Sequence, residues 1–303
     1  MGNSINWSEY NRSLVNRGKI TFWFSEDIAE SWYAPPSGRP GAQPVYSDQA
    51  IEALSILRFK FGLKLRCTQG FAESLVELMG LGLEIPDYTT LCRRLGKIPA
   101  KLEKAISSGK PIHVVIDSTG LKVYGEGEWK VRQHGYSKRR TWRKLHLAVD
   151  ESNSQIVAVV LSDNSFKDNQ LYEDLIDNTD EEIEQVSADG AYDSDNCYNK
   201  SIKEGINLVT PPRKGAKLKK HGNSSGPPHP RDIHIREIRD VGRQQWKENN
   251  QYHRRSISET AMYRFKTLLG EKLSSREFER QANEAFIKCS ILNKMKVPSS
   301  FAS

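Results

Sequence analysis

Three acidic residues stand out by their surroundings: Asp117, Asp189 and Glu259. Asp117 closes Ile112-His113-Val114-Val115-Ile116, an apolar, β-rich run too short for a helix. A carboxylate there is costly to bury unless it is paired or bound to a cation. Asp189 ends Val186-Ser187-Ala188 and precedes Gly190. That is the end of a strand, where α/β sheets carry their active sites, and the glycine permits a tight turn. Either aspartate alone also reads as a turn or cap residue. Glu259 lies in the stretch from Tyr252 to Lys266. Wound as a helix at about 100° per residue, Tyr252, Arg255, Glu259 and Lys266 fall within about 60° on one face. Ala261, Phe265, Leu268 and Leu269 form the neighbouring apolar face. Ser256-x-x-Glu259 also matches a capping box, with Arg255 and Lys266 as ordinary surface cations, so both readings stand at this point.

Separated carboxylates flanked by cations suit one chemistry in particular. Mg²⁺ prefers oxygen ligands and takes a few carboxylates, with water and substrate phosphate completing its shell. Two such ions about 3.5–4 Å apart can activate a nucleophile and stabilise the leaving oxygen of a phosphodiester. Arginine and lysine then hold the anionic strand.

The elements that must position these residues are legible in outline. Ile112–Ile116, Leu121–Tyr124, Leu145–Val149 and Ile156–Val160 predict successive antiparallel strands. A helix follows near 168–178, then a brief strand at Val186–Asp189, a helix after Ser194 and a strand at Ile206–Val209. Helices are predicted through Arg255–Leu269 and Arg276–Met295. This is a mixed α/β domain. Upstream, three helices are expected. The first opens at Ser47-Asp48 and faces inward with Ile51, Leu54, Leu57 and Phe61. The second follows Thr68, and the third starts near Asp87 with Arg93, Arg94 and Lys97 outward. Short helices with a basic third member fit a helix-turn-helix DNA reader. A plain helical subdomain with solvated cations fits equally from the helices alone.

At the residues quoted above, the sequence resembles bacterial insertion-sequence DDE transposases of the insertion-sequence-5 family. That family's C-terminal signature is Y-(2)-R-(3)-E-(6)-K, and Tyr252, Arg255, Glu259 and Lys266 match every spacing. Val114–Gly120 resembles the first catalytic block and Ala188–Asp193 the second, over a similarity spanning about 110–295. The resemblance implies a ribonuclease H-like catalytic fold. It implies Asp117 on the central strand, Asp189 after a neighbouring strand and Glu259 on a late helix, together holding two Mg²⁺, with Mn²⁺ substituting. Tyr252, Arg255 and Lys266 would contact the transposon end. The reaction implied is end cleavage that frees a 3′-hydroxyl, then attack of that hydroxyl on target DNA. The alternatives are a catalytically silent DNA-binding regulator derived from a transposase, and a metal nuclease that cuts without joining.

Charge supports a polyanionic partner. The 303-residue chain carries net charge +7, but unevenly: 151–210 holds 14 acidic and 3 basic residues, whereas 211–303 holds 20 basic and 9 acidic. Basic regions bind nucleic acid by displacing its counterions. The densest cluster, Lys138, Arg139, Arg140, Arg143 and Lys144 around Trp142, suggests backbone contact with the tryptophan stacking on an unpaired base. A hairpin loop with a buried tryptophan is the alternative. The acidic stretch at 173–184 reads as a solvated helix and loop. His113, His134, His146 and His253 lack metal-ligand spacing. The expected organisation is an arm and linker (1–46), a helical DNA-binding domain (47–108), a catalytic domain (109–295) with a basic loop at 212–231, and a tail (296–303). The expected partners are double-stranded DNA, as terminal inverted repeats and target, and further copies of the chain in a homodimer or higher assembly. No run of eighteen apolar residues or secretory leader is visible. Cys67, Cys92, Cys197 and Cys289 form no CxxC. A cytoplasmic, nucleoid-associated bacterial protein is expected, with no membrane partner.

Overall fold

The computed structural model describes residues 7–36, 38, 40–41, 43–98, 102, 109–123, 142–213, 215–220 and 226–295. The described residues of 104–122 and 139–264 form one compact unit; those of 1–103, 123–138 and 265–303 form another. No helix among the described residues is long and apolar enough to cross a membrane.

The second of these units is helical. It holds α1 (Trp7–Asn16), α2 (Ile20–Trp23), α3 (Asp48–Lys60), α4 (Leu65–Leu78), α5 (Tyr88–Arg94) and the C-terminal helix Phe278–Lys294. Its expected start signals operate: Ser47 Oγ accepts from Ala50 N at 3.0 Å, and Asp87 Oδ1 accepts from Thr89 N at 2.7 Å. α3 buries Ile51, Leu54 and Leu57 completely, but ends at Lys60, so Phe61 is 39% exposed rather than continuing the apolar face. α4 begins at Leu65, a turn earlier than expected. The C-terminal helix packs on α3, with Arg58 donating to Ser274 Oγ at 3.2 Å and Lys288 lying 5.8 Å from the Phe59 ring centre. Buried Glu284 accepts from the amides of Ser274 and Ser275 and pairs with Lys288 at 3.1 Å, so this internal charge is satisfied on every side.

The other unit is built on the strands β1 (Ile112–Val123), β2 (Trp142–Asp150), β3 (Ile156–Asp163), β4 (Ile183–Ala188) and β5 (Asn207–Val209), in the order β3-β2-β1-β4-β5. β1, β2 and β3 pair antiparallel in sequence, as expected; β4 and β5 add parallel to β1. This is the ribonuclease H-like mixed sheet. The two strands expected at 112–116 and 121–124 are one long β1, because Ser118-Thr119-Gly120 continues to pair with β2 instead of turning. The helices Tyr172–Asp177 and Asp195–Glu204 cover one face and bury Val114, Ile116, Val186, Ala188 and Leu208 with Tyr172, Tyr192 and Tyr198.

The helix Pro230–Asn249 has no counterpart in the sequence expectations. It is interrupted at Gly242, whose φ of 82° leaves the helical region, and its polar composition weakens the periodic signal. It matters for the site because it brings Trp246 against Tyr252 and Val209. Trp246 Nε1 donates to His234 Nδ1 at 3.2 Å, and His234 Nε2 donates to Leu208 O at 3.0 Å.

Candidate active site

The strand register brings the two aspartates together. Ile116 pairs with Ala188 across the parallel β1–β4 ladder. Neighbouring strands lie about 4.8 Å apart, so Asp117, next along β1, and Asp189, the first residue past β4, are brought close to one another. Ile116 and Ala188 point into the apolar core. Asp117 Oδ1 accepts from Ser118 N at 2.8 Å. Asp189 caps the one-turn 3₁₀ segment Gly190–Tyr192, accepting from Ala191 N at 2.9 Å, while its carbonyl accepts from Thr210 Oγ1 at 2.6 Å.

The late helix supplies the third group. It starts at Ser256, after a separate 3₁₀ turn at Tyr252–Arg255, so the four-residue face expected from continuous winding breaks between Arg255 and Ser256. Glu259 is exposed and turns to Arg255, whose Nη2 lies 2.7 Å from its Oε1. Arg255 Nη1 is 4.0 Å from Asp117 Oδ2, and Ser258 Oγ is 3.5 Å from the same oxygen. One guanidinium therefore sits between Glu259 and Asp117. Burial raises the Asp117 carboxyl above its ordinary value; Ser118 and Arg255 oppose this, while the negative charges of Asp189 and Glu259 add to it. Three carboxylates acting on one another make a centre short of positive charge.

A buried network underlies this centre. His113 Nε2 meets Ser187 Oγ at 2.8 Å, His113 Nδ1 pairs with Glu151, and Glu151 pairs with Arg254. Gln185 Nε2 donates to Asn250 O at 3.3 Å. These contacts pin the 250–254 segment to the sheet, next to Arg255. Burial, with Arg254 nearby, pushes the His113 imidazole down to about 4, so at neutral pH it is an uncharged strut. On the Asp189 side, Asp193 is completely buried and holds Arg231 through two bonds, Nε–Oδ1 at 2.6 Å and Nη2–Oδ2 at 3.0 Å. Arg213 N adds a third bond at 3.0 Å.

The remaining candidates are placed unevenly. Tyr252 is buried, 5.4 Å from the Trp246 ring centre, and burial pushes its hydroxyl up to about 12. Lys266 is half-buried in the last turns of its helix. Arg143 and Lys144 lie on β2, where Lys144 binds Asp168 at 3.0 Å; Trp142 is 48% exposed. Arg93 is exposed and leans on Thr89 and Thr90. Arg94 is drawn inward to Asp48 at 2.6 Å and Tyr46 O at 2.9 Å. Lys138, Arg139 and Arg140 lie outside the described residues.

A family model described as a transposase DDE domain matches residues 108–294. The chain belongs to the DDE transposases. A second model of the same description matches residues 15–126. Among solved structures, a piggyBac transposase synaptic complex with hairpin DNA aligns with TM-score 0.43 at 11% identity, covering 93% of this chain and 73% of that one. A Drosophila P element transposase strand transfer complex aligns with TM-score 0.29 at 12% identity, covering 55% and 38%. In this DDE transposase the donor set Asp117, Asp189 and Glu259 has the hard oxygen chemistry that a divalent cation requires. Among the described residues no three acidic, histidine or cysteine side chains are arranged to hold an ion as they stand. Glu259 is paired with Arg255, which reaches toward Asp117. Tyr192, Asp193, Arg231 and Ser258 were not foreseen as part of this neighbourhood. Only the Asp189–Asp193 block hinted at the first two; nothing local marks Ser258 or Arg231.

Proposed function

We infer that this transposase cuts the ends of its own mobile element and joins them to target DNA. Asp117, Asp189 and Glu259 act as ligands of two Mg²⁺, with Mn²⁺ as a substitute. The bound ions would activate the attacking oxygen and stabilise the leaving one. The observation that carries this reading is that Asp117 and Asp189 directly follow the paired residues Ile116 and Ala188 of adjacent parallel strands, with Arg255 linking Glu259 toward Asp117.

The chain's own groups have separable tasks. The Ser118 amide fixes the Asp117 carboxylate, while the Ser258 hydroxyl, donated to Arg255 O, lies nearby at 3.5 Å. Arg255 is a quarter exposed, so it can leave the carboxylates for a DNA phosphate. Buried Tyr252 holds the turn carrying Arg255 in place by packing on Trp246, and Lys266, Arg143 and Lys144 are read as further cations that contact the DNA backbone. The helices of 47–108 are read as the domain that recognises the element's terminal repeats, with Arg93 one of its exposed cations and Arg94 bracing α5. The insertion-sequence-5 affiliation, a bacterial nucleoid setting and a multimeric assembly on DNA follow from the Tyr-Arg-Glu-Lys signature and belong to this same reading.

The test is incubation of purified protein with double-stranded DNA carrying the inverted repeats that flank the gene, plus Mg²⁺ and a target plasmid. Nicked ends and joined products are expected from wild type and neither from Asp117→Ala. Equal cleavage by Asp117→Ala overturns the assignment.

A further inference from the structure

The stretch from Arg213 to Lys220 holds five cations and no acid. A run of like charge repels itself and is ordinarily disordered. Its described residues are instead bolted to the turn that follows Asp189. Thr210, just past β5, donates to Asp189 O at 2.6 Å. Arg213 N donates to Asp193 Oδ2 at 3.0 Å, and Arg213 Nε donates to Gly190 O at 3.4 Å. Arg231, held by the same buried Asp193, donates through Nη1 to Lys217 O at 3.1 Å. Ala216 N closes the turn on Arg213 O at 3.0 Å. Further along, buried Asp232 accepts from the amides of Lys219 and Lys220 at 2.9 and 2.7 Å, and Arg236 donates to Lys220 O at 3.2 Å. The charged tips of Arg213 and Lys217 remain exposed. The bond to Gly190 uses one of the five N–H groups of the Arg213 guanidinium, which leaves the rest of the fork available. Lys219, by contrast, is paired with Asp195.

We propose that Arg213 and Lys217 form a phosphate-binding turn that grips the backbone of double-stranded DNA beside Asp189, and that the buried Asp193–Arg231 pair is the positioning element that fixes both. This rests on the reading of Asp117, Asp189 and Glu259 as the metal site and adds to it a grip that needs no divalent ion. Arginine holds a phosphate through paired N–H bonds and lysine holds one as a point charge. Fixing the backbone of both residues before DNA arrives lowers the ordering cost of binding. Contacts of this kind set where the duplex lies without reading its sequence.

The experiment measures binding of the full-length protein to a duplex carrying the flanking inverted repeats, in EDTA, by anisotropy at several salt concentrations. It compares wild type, Arg213→Gln, Lys217→Gln, the double variant and Arg213→Lys, with a thermal melt of each. Each glutamine should lower the salt-dependence slope by about one and the double variant should lower it by about two. Arg213→Lys should keep the wild-type slope. All melts should coincide, because both side chains are exposed; a merely structural role would lower the melt and leave the slope alone. Ethylating phosphates within a few nucleotides of the cleaved end should weaken binding of wild type but not of the double variant. A wild-type slope in the double variant, or one ethylation pattern for both proteins, overturns this inference. The metal-site reading survives that result if Mg²⁺-dependent cleavage still requires Asp117. A lowered slope in the variants, with no cleavage by wild type, keeps the grip and overturns the metal-site reading. No binding by wild type overturns both.

Discussion

Replacing Arg231 by alanine tests whether the site's scaffold works as the geometry implies. The side chain of Asp193 has no exposed surface and Arg231 is 14% exposed, so water screens their two bonds, at 2.6 and 3.0 Å, very little. Arg231→Ala leaves a buried carboxylate with only the Arg213 amide as a partner. Breaking a buried pair from one side costs about 3–5 kcal/mol, which lowers the melting temperature by roughly 10 °C in a domain of this size. The pH dependence has a definite sign. Although burial alone raises it, hydrogen bonds from Arg231 and Arg213 hold the Asp193 carboxyl below its ordinary 3.8 in the folded state. Its stabilisation is therefore fully present above the unfolded value and is lost as pH falls through the folded one. Melts of wild type and Arg231→Ala should differ most near neutrality and converge in acid. The double variant Asp193→Leu with Arg231→Met should recover part of the loss, since it leaves no unpaired charge. Arg231→Ala melting within about 1 °C of wild type at pH 7 would refute the argument, because the clamp would then carry no net energy.

Asp117→Asn should abolish end cleavage in the DNA assay yet raise the melting temperature at pH 7. Burial and two like charges raise the Asp117 carboxyl, so its ionisation weakens the fold as pH climbs from the unfolded value through the folded one, and the amide removes that penalty. Arg255→Ala should weaken binding to end DNA and reduce the salt-dependence slope by about one, as expected for one lost phosphate contact, measured by anisotropy at several salt concentrations. His146 is fully buried, with Nε2 against Ser162 Oγ at 3.0 Å, and burial depresses it to about 4. A histidine depressed this way stabilises the fold above its unfolded value near 6.5, and that contribution disappears as pH falls toward 4. The wild-type melting temperature should therefore drop between pH 6.5 and 4, and His146→Gln should flatten the decline.

The ends of elements with strong local chemistry could be read from the chain alone. Ser47 and Asp87 cap the helices they were expected to cap, because a side chain meeting an amide three residues away depends on little else. The strand identities of 112–116, 145–149 and 156–160 followed from apolar runs between polar turns. Asp117 and Asp189 were visible because each sits where an apolar run stops, and Glu259 because of its spacing from Tyr252, Arg255 and Lys266. Elements whose pattern is diluted were not visible. Gly242 splits the polar helix Pro230–Asn249, and Tyr252–Arg255 winds as a 3₁₀ turn rather than as the start of the helix at Ser256. Only the folded sheet decided what the candidates do together. The nearness of Asp117 and Asp189 depends on the parallel pairing of strands about seventy residues apart in sequence. Arg94 looked like a surface cation but is spent on Asp48. Tyr252, expected at the DNA, packs on Trp246 in the fold. Local sequence determines hydrogen bonds that close within a few residues; register, burial and the pairing of distant charges belong to tertiary contacts, whose energy no single segment contains.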